Sequence, residues 1–332
     1  MWPAVRIQSS RSKAALISAK LALSGVAIVA ILAKVDIPST WHRMLFQNLW
    51  LALLAAAVMI AQIALGGVRW NLIVHRLGGD LPMGISLRLF YIAVFFNACL
   101  WGAVAGDVVR AWLAQRFAVG TRVALNSVLL DRIAPLCAVA LLMLSTLPLL
   151  VARVGVAAAM IPSALSIAGL LTIPIIAQLH RLPQKWRRNT ILRFIQSLGM
   201  ATGTIFLVPS AAVPILSVAI LAQIGLSLAT YIIARSLAID IGPLDCLMLM
   251  QPVALITALP ISIGGWGVRE VTMVMLLGLI GVSSEAALAL SVQIGLINLI
   301  VSLPGGLLWI FFDFREAVVE PRSYIETKNT EA

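Results

Sequence analysis

Six stretches of this chain run for about 18 residues or more with almost no charge, enough helix to cross a hydrocarbon core about 30 Å thick. They lie near 14–33, 45–67, 123–151, 156–179, 211–236 and 285–311. None alternates apolar with polar residues, as barrel strands do, so the spanning elements are helices whose backbone hydrogen bonds close within each segment. Over 332 residues, 61% are hydrophobic and 11% charged. With a mean hydropathy of +1.03, the chain lacks the polar surface of a water-soluble globule. These features predict an all-α polytopic membrane helix bundle.

Two shorter apolar runs, about 84–104 and 246–263, end in glycine-rich segments that echo each other. The first reads Leu100-Trp101-Gly102-Ala103-Val104-Ala105-Gly106-Asp107-Val108-Val109-Arg110. The second reads Leu259-Pro260-Ile261-Ser262-Ile263-Gly264-Gly265-Trp266-Gly267-Val268-Arg269-Glu270. Overlaying them pairs Gly106 with Gly265 and Arg110 with Arg269. The echo extends, with a one-residue shift, to Ala124–Val128 and Ala287–Val292. Each run reads as half a span.

Lysine and arginine in short loops set orientation. Arg6, Arg11 and Lys13 in the N-terminal tail, Arg69, Arg76 and Arg88 in the 68–88 segment, and Arg181, Lys185, Arg187, Arg188 and Arg193 in the 180–193 segment mark the cytoplasmic side. A single full crossing at 84–104 would place the 180–193 cations outside. A re-entrant excursion there, matched by a second from the opposite face, avoids this and produces an inverted repeat whose tips meet near the midplane. Paired tilted helices preserve the same parity, so six to eight transmembrane helices fit. The expected organisation is one membrane domain over 1–312, with repeat halves of about 45–179 and 204–312, a cytoplasmic tail at 313–332 and both termini inside. The N-terminal run is read as a retained helix, being long and without a small-x-small cleavage site.

The net charge of +11 sits mostly in those cytoplasmic segments, where it favours an anionic leaflet rather than nucleic acid. Cys99, Cys137 and Cys246 are unpaired in spacing, and His42, His75 and His180 lie apart, so neither a disulfide framework nor a metal site is expected. No phosphate loop, nucleophile elbow or dinucleotide fingerprint occurs. No cofactor and no catalytic residue are assigned.

The ordered set Phe96-Asn97 through Gly106-Asp107-Val108-Val109-Arg110, then Asp131-Arg132, then Leu259 through Glu270, resembles the transmembrane domain of lysylphosphatidylglycerol synthases over about 45–312. Trp101 stands where that family usually has proline, and Ala105 where it usually has a second glycine. The resemblance implies a flippase-like part that moves a lipid between leaflets of a bacterial cytoplasmic (inner) membrane, without the soluble domain that charges the lipid.

A phospholipid head group crossing the bilayer interior exchanges hydration for protein partners, and guanidinium forks match phosphate well. Arg110 and Arg269 are therefore candidate head-group contacts. Asp107, three residues before Arg110 and on the same helical face, joins Asp131 and Glu270 as carboxylates to hold the arginines, since an unpaired arginine at membrane depth is costly. Gly106, Gly264 and Gly265 are candidates for close backbone approach to the head group. The competing reading of both arginines is structural, holding the hairpin tips to helix ends or snorkelling to an interface. Gln223, Gln251, Gln293 and Asn298 read as cavity lining or interhelical glue. Trp41, Trp70, Trp186 and Trp309 read as interfacial anchors.

Three functions stay open: a lipid translocator, a membrane transferase acting on a lipid carrier, and a non-transporting partner of a soluble lipid-modifying enzyme. Membrane lipids are the expected partners, with that soluble enzyme or a second copy of the chain, as a homodimer, as further candidates.

Overall fold

The computed structural model describes residues 48–99, 104–117, 119–181, 190–258 and 266–311, and all ordered elements among them are helical. The expected span at 14–33 and the tail at 313–332 lie outside the described residues. The other five expected spans coincide with long apolar helices.

Two helices of equal length form the centre: α1 (Leu49–Arg76) and α8 (Pro209–Ser236), each 28 residues, or about 42 Å at about 1.5 Å per residue. Asn48 caps α1, accepting from the N–H groups of Trp50 and Leu51 at 3.0 and 3.4 Å. This satisfies donors that a helix start leaves open. The two helices end alike. Gly78 (φ 82°) closes α1 and Ala238 (φ 54°) closes α8. In each case the next residue, Gly79 or Ile239, donates back to Val74 or Ala234, both at 2.9 Å. An alanine in the left-handed region is disfavoured; the cap geometry holds it there.

These helices run antiparallel. Arg76, the last residue of α1, donates through Nη2 to the Ser210 carbonyl in the first turn of α8 at 2.6 Å, and Gly225 faces Val58 near mid-length. The end of α1 and the start of α8 therefore share one face of the bundle, here the first face.

The pairs α2 (Met83–Cys99) with α3 (Ala105–Arg116), and α9 (Pro243–Thr257) with α10 (Val268–Gly278), are the interrupted segments. At 17, 12, 15 and 11 residues, none matches the about 20 needed for a full crossing. α2 folds back on α1, with Ser86 Oγ donating to the Gly67 carbonyl (3.1 Å) and Asn71 Nδ2 to that of Leu81 (2.7 Å). α3 then returns to α4 (Thr121–Ser145), whose Arg122 lies in one cleft with Arg76. This hairpin enters and leaves by the first face. After α4 crosses, the short α5 (Leu147–Val154) brings Arg153 to Asp245 at the start of α9, 3.4 Å away. Val154 and Val282, beyond α10, pack in the same cluster as Ile239. The α9–α10 hairpin thus opens to the second face, and α11 (Ser284–Phe311) crosses from there. The runs α1 to α4 and α8 to α11 occupy 49–145 and 209–311.

α6 (Val156–Gln178) recrosses to the first face, where α7 (Thr190–Thr202) and a π-helical stretch (Gly203–Leu207) lead into α8. α7 does not cross: Gly199 abuts the Ile176 carbonyl and the His180 backbone at the end of α6, and Ser197 bonds Asn126 near the start of α4. Glycine allows the closest helix contacts. A Cβ at Gly106 would collide with the Ala93 carbonyl of α2, and one at Gly305 with that of Tyr91.

Two expectations require correction. Arg69 and Trp70 belong to no loop. Because α1 continues to the Gly78 cap, both sit inside the bundle, at 6% and 0% exposure. Trp70 is thus no interfacial anchor; its indole N–H donates to Ser127 Oγ at 3.1 Å.

Two outcomes follow. Gly305→Val lowers thermal stability in detergent by about 1–3 kcal/mol, whereas Gly84→Val, with open space around its Cβ, leaves it within about 0.5 kcal/mol. In a background lacking the native cysteines, Asp80→Cys and Asp240→Cys react with a membrane-impermeant thiol reagent from opposite sides of sealed vesicles.

Candidate functional site

Five ionised side chains meet where α1, α3 and α4 pack, alternating in sign. Arg69 Nε donates to Asp131 Oδ1 at 2.8 Å, and Arg110 Nη1 to Asp131 Oδ2 at 2.7 Å. Arg110 Nη2 reaches Asp107 Oδ1 at 3.1 Å, and Arg132 Nε bonds Asp107 Oδ2. The order is Arg69, Asp131, Arg110, Asp107, Arg132. Among the described residues the series joins three arginines to two carboxylates.

Each placement has a local cause. Asp107 lies in the first turn of α3, where the helix dipole favours a carboxylate, and Arg110 lies one turn on. Asp131 and Arg132 are adjacent on α4, turning toward different neighbours. Pro135 follows Asp131 by four residues and has no N–H to donate to the Asp131 carbonyl, which leaves that oxygen without its helical partner.

Arg110 is 2% exposed. Its guanidinium carbon lies 4.7 Å from the Trp70 ring centroid and 5.0 Å from that of Phe90, a stacking that suits the planar cation. Its Nε has no partner among the described residues. Arg132, the last of the series, has 45% of its side chain exposed. All five residues line a cavity of about 420 Å³, together with Asn97 of α2, Gln223 of α8 and Ala254 of α9. Asn97 also ties the hairpin, accepting from the Gly106 N–H at 2.9 Å.

The second hairpin carries a smaller, neutral arrangement. Arg269 Nη2 donates to Glu270 Oε1 at 2.7 Å, and Ser291 Oγ to the same oxygen at 3.1 Å. Glu270 Oε2 accepts from the Gly267 N–H at 2.6 Å, closing the start of α10. Arg269 lies over Trp266, 4.9 Å from the ring centroid, and Gly295 leaves room for both. Arg269 lines a second cavity, of about 330 Å³, with Gln62, Thr257 and Asn298. Ala254 of α9 and Ala258, just beyond its end, line both cavities.

Of the residues singled out from sequence, Asp107, Arg110 and Asp131 come together, while Arg269 and Glu270 form their own pair. Gly106 packs on α2 rather than lining the cavity. Gly264 and Gly265 lie outside the described residues. Gln223 and Asn298 line cavities, whereas Gln251 bonds Ser227 of α8 at 3.3 Å as interhelical glue. Sequence reasoning missed Arg69 and Gln62. The available signal for Arg69 was continued apolarity beyond it, through Leu72-Ile73-Val74 to the Gly78-Gly79 stop.

Removing one member of a buried ion pair leaves its partner uncompensated, at a cost of about 3–5 kcal/mol. Asp131→Asn is expected to destabilise the bundle by about that much in thermal unfolding, and adding Arg69→Met recovers part of it. A double-mutant cycle reads the coupling.

No match to a curated protein is found. The family model described as "Lysylphosphatidylglycerol synthase TM region" matches residues 17–306, most of the chain. This integral membrane protein therefore belongs to the lysylphosphatidylglycerol synthase transmembrane-region family.

Proposed function

We propose that the chain moves a lipid with a charged head group between the two leaflets of a bacterial inner membrane. The observation that carries this reading is that the Arg69–Asp131–Arg110–Asp107–Arg132 series, three guanidinium groups and two carboxylates, lines a cavity in the apolar interior. Guanidinium groups along a cavity wall offer a place for an anion, and a lipid phosphate supplies one together with the acceptor geometry they match.

Hairpins that open to opposite faces support passage rather than one-sided binding. A head group entering from the first face meets the five-residue series; one at the second face meets Arg269 and Glu270. Ala254 and Ala258 line both cavities, which places the two along one route. The first face bears Arg76, Arg122, Arg181 and Arg193, which makes it cytoplasmic by the positive-inside rule.

The test is leaflet exchange of fluorescent anionic, zwitterionic and aminoacylated phospholipids by the purified chain in liposomes. Arg132→Gln removes the exposed cation without emptying the buried core. A lost charge-assisted contact is worth about 1.5–3 kcal/mol, so exchange should fall about tenfold or more. Arg269→Gln should also slow it. Normal exchange by both correctly inserted variants overturns the assignment, and chemical conversion of the lipid without exchange moves the function to a membrane transferase.

A further inference from the structure

A separate cleft opens at the first face, away from the interior cavities. It lies between the end of α1, the start of α4 and the side of α7, with a volume of about 260 Å³. Arg76, Arg122, Asn126, Ser197, Met200 and Thr204 line it. Two cations face it, and no carboxylate is among its lining residues.

The chemistry of the lining is specific. α4 starts at this cleft with no side chain capping it, and its second and third residues, Arg122 and Val123, lie before the first backbone bond from Ala124 to Gly120. Their N–H groups and the Arg122 guanidinium form one anion-directed surface. Arg76 commits one Nη2 bond to Ser210 and keeps other donors, since a guanidinium carries five N–H groups. Deeper in, Asn126 is 5% exposed. Its Nδ2 donates to Ser197 Oγ at 2.7 Å, while its Oδ1 has no partner among the described residues. Two arginines and a helix start call for a phosphate; an unsatisfied amide oxygen calls for a hydroxyl or an amine beside it.

The surroundings distinguish a lipid from a free anion. Met200, Leu207 and Val208 are exposed apolar side chains at 57%, 53% and 44%, on or just beyond the helix that walls the cleft. A ligand with its phosphate between Arg76 and Arg122 can lay acyl chains over that apolar surface. We infer that this cleft binds one phospholipid with an anionic head group, phosphate against Arg76, Arg122 and the start of α4, hydroxyl or amine toward Asn126 and Ser197. The bound lipid joins α1, α4 and α7; at the cleft the Asn126–Ser197 bond links α4 to α7. Its place is distinct from the translocation cavity, with which it shares no lining residue.

The experiment is thermal unfolding of the purified full chain in detergent, titrated with dioleoylphosphatidylglycerol, dioleoylphosphatidylcholine or inorganic phosphate. Phosphatidylglycerol is expected to raise the melting temperature saturably, with the other two having little effect. Arg122→Gln, at an exposed position, should raise the half-maximal lipid concentration about tenfold, as expected for one lost charge-assisted bond. Arg76→Gln/Arg122→Gln should abolish the effect. Arg132→Gln, which alters only the interior site, should leave it intact, so this result and the transport assay fail independently. The inference is overturned if phosphatidylglycerol does not stabilise the wild type, if Arg122→Gln responds like it, or if the response follows Arg132 instead. Equal stabilisation by inorganic phosphate makes the cleft a free-anion site and likewise overturns it.

Discussion

An arginine in the bilayer interior must be paired or hydrated, and much of this architecture answers that requirement for Arg110. Both oxygens of Asp131 and both of Asp107 are engaged, each by a different guanidinium contact. The four residues other than Arg132 are less than one-tenth exposed, so low polarity strengthens every attraction in the series and raises the cost of losing any member. The series also fixes the packing of three helices, since Arg69 is on α1, Asp107 and Arg110 on α3, and Asp131 and Arg132 on α4.

Close helix approach makes this pairing possible. The interrupted helices α2 and α3 meet at Gly106, and α2 meets α11 at Gly305 and Gly306. These contacts leave no space for a side chain, which brings short carboxylates within bonding distance of the arginines. The two halves then diverge. The first hairpin packs where three arginines meet two carboxylates, whereas on the second Arg269 pairs with Glu270. Two hairpins of related sequence thus carry different charge arrangements.

Much of this was legible beforehand. Apolar run length located five of the described crossings, and the glycine-rich echoes marked the interrupted helices. The three-residue spacing of Asp107 and Arg110 foretold their contact, because helical periodicity is local. Arg69 and Trp70 were misread because an isolated arginine after an apolar run looks like a loop cation. Whether a helix continues past such a residue depends on whether a partner waits in the bundle, and Asp131 is 62 residues away. The cleft between Arg76 and Arg122 was invisible for the same reason.

The sequence by itself determined that the chain lives in a membrane, that its elements are helices and that charge enters the apolar interior at two related places. Those properties follow from hydropathy summed over a span and from spacing within a turn, quantities that neighbours along the chain suffice to define. The tertiary structure decided which charges pair, that one site joins three arginines to two carboxylates while the other pairs Arg269 with Glu270, and that two cavities share Ala254 and Ala258. Electrostatic balance in a low-dielectric interior depends on distances of a few ångströms between helices far apart in sequence, and only the packed bundle sets those distances.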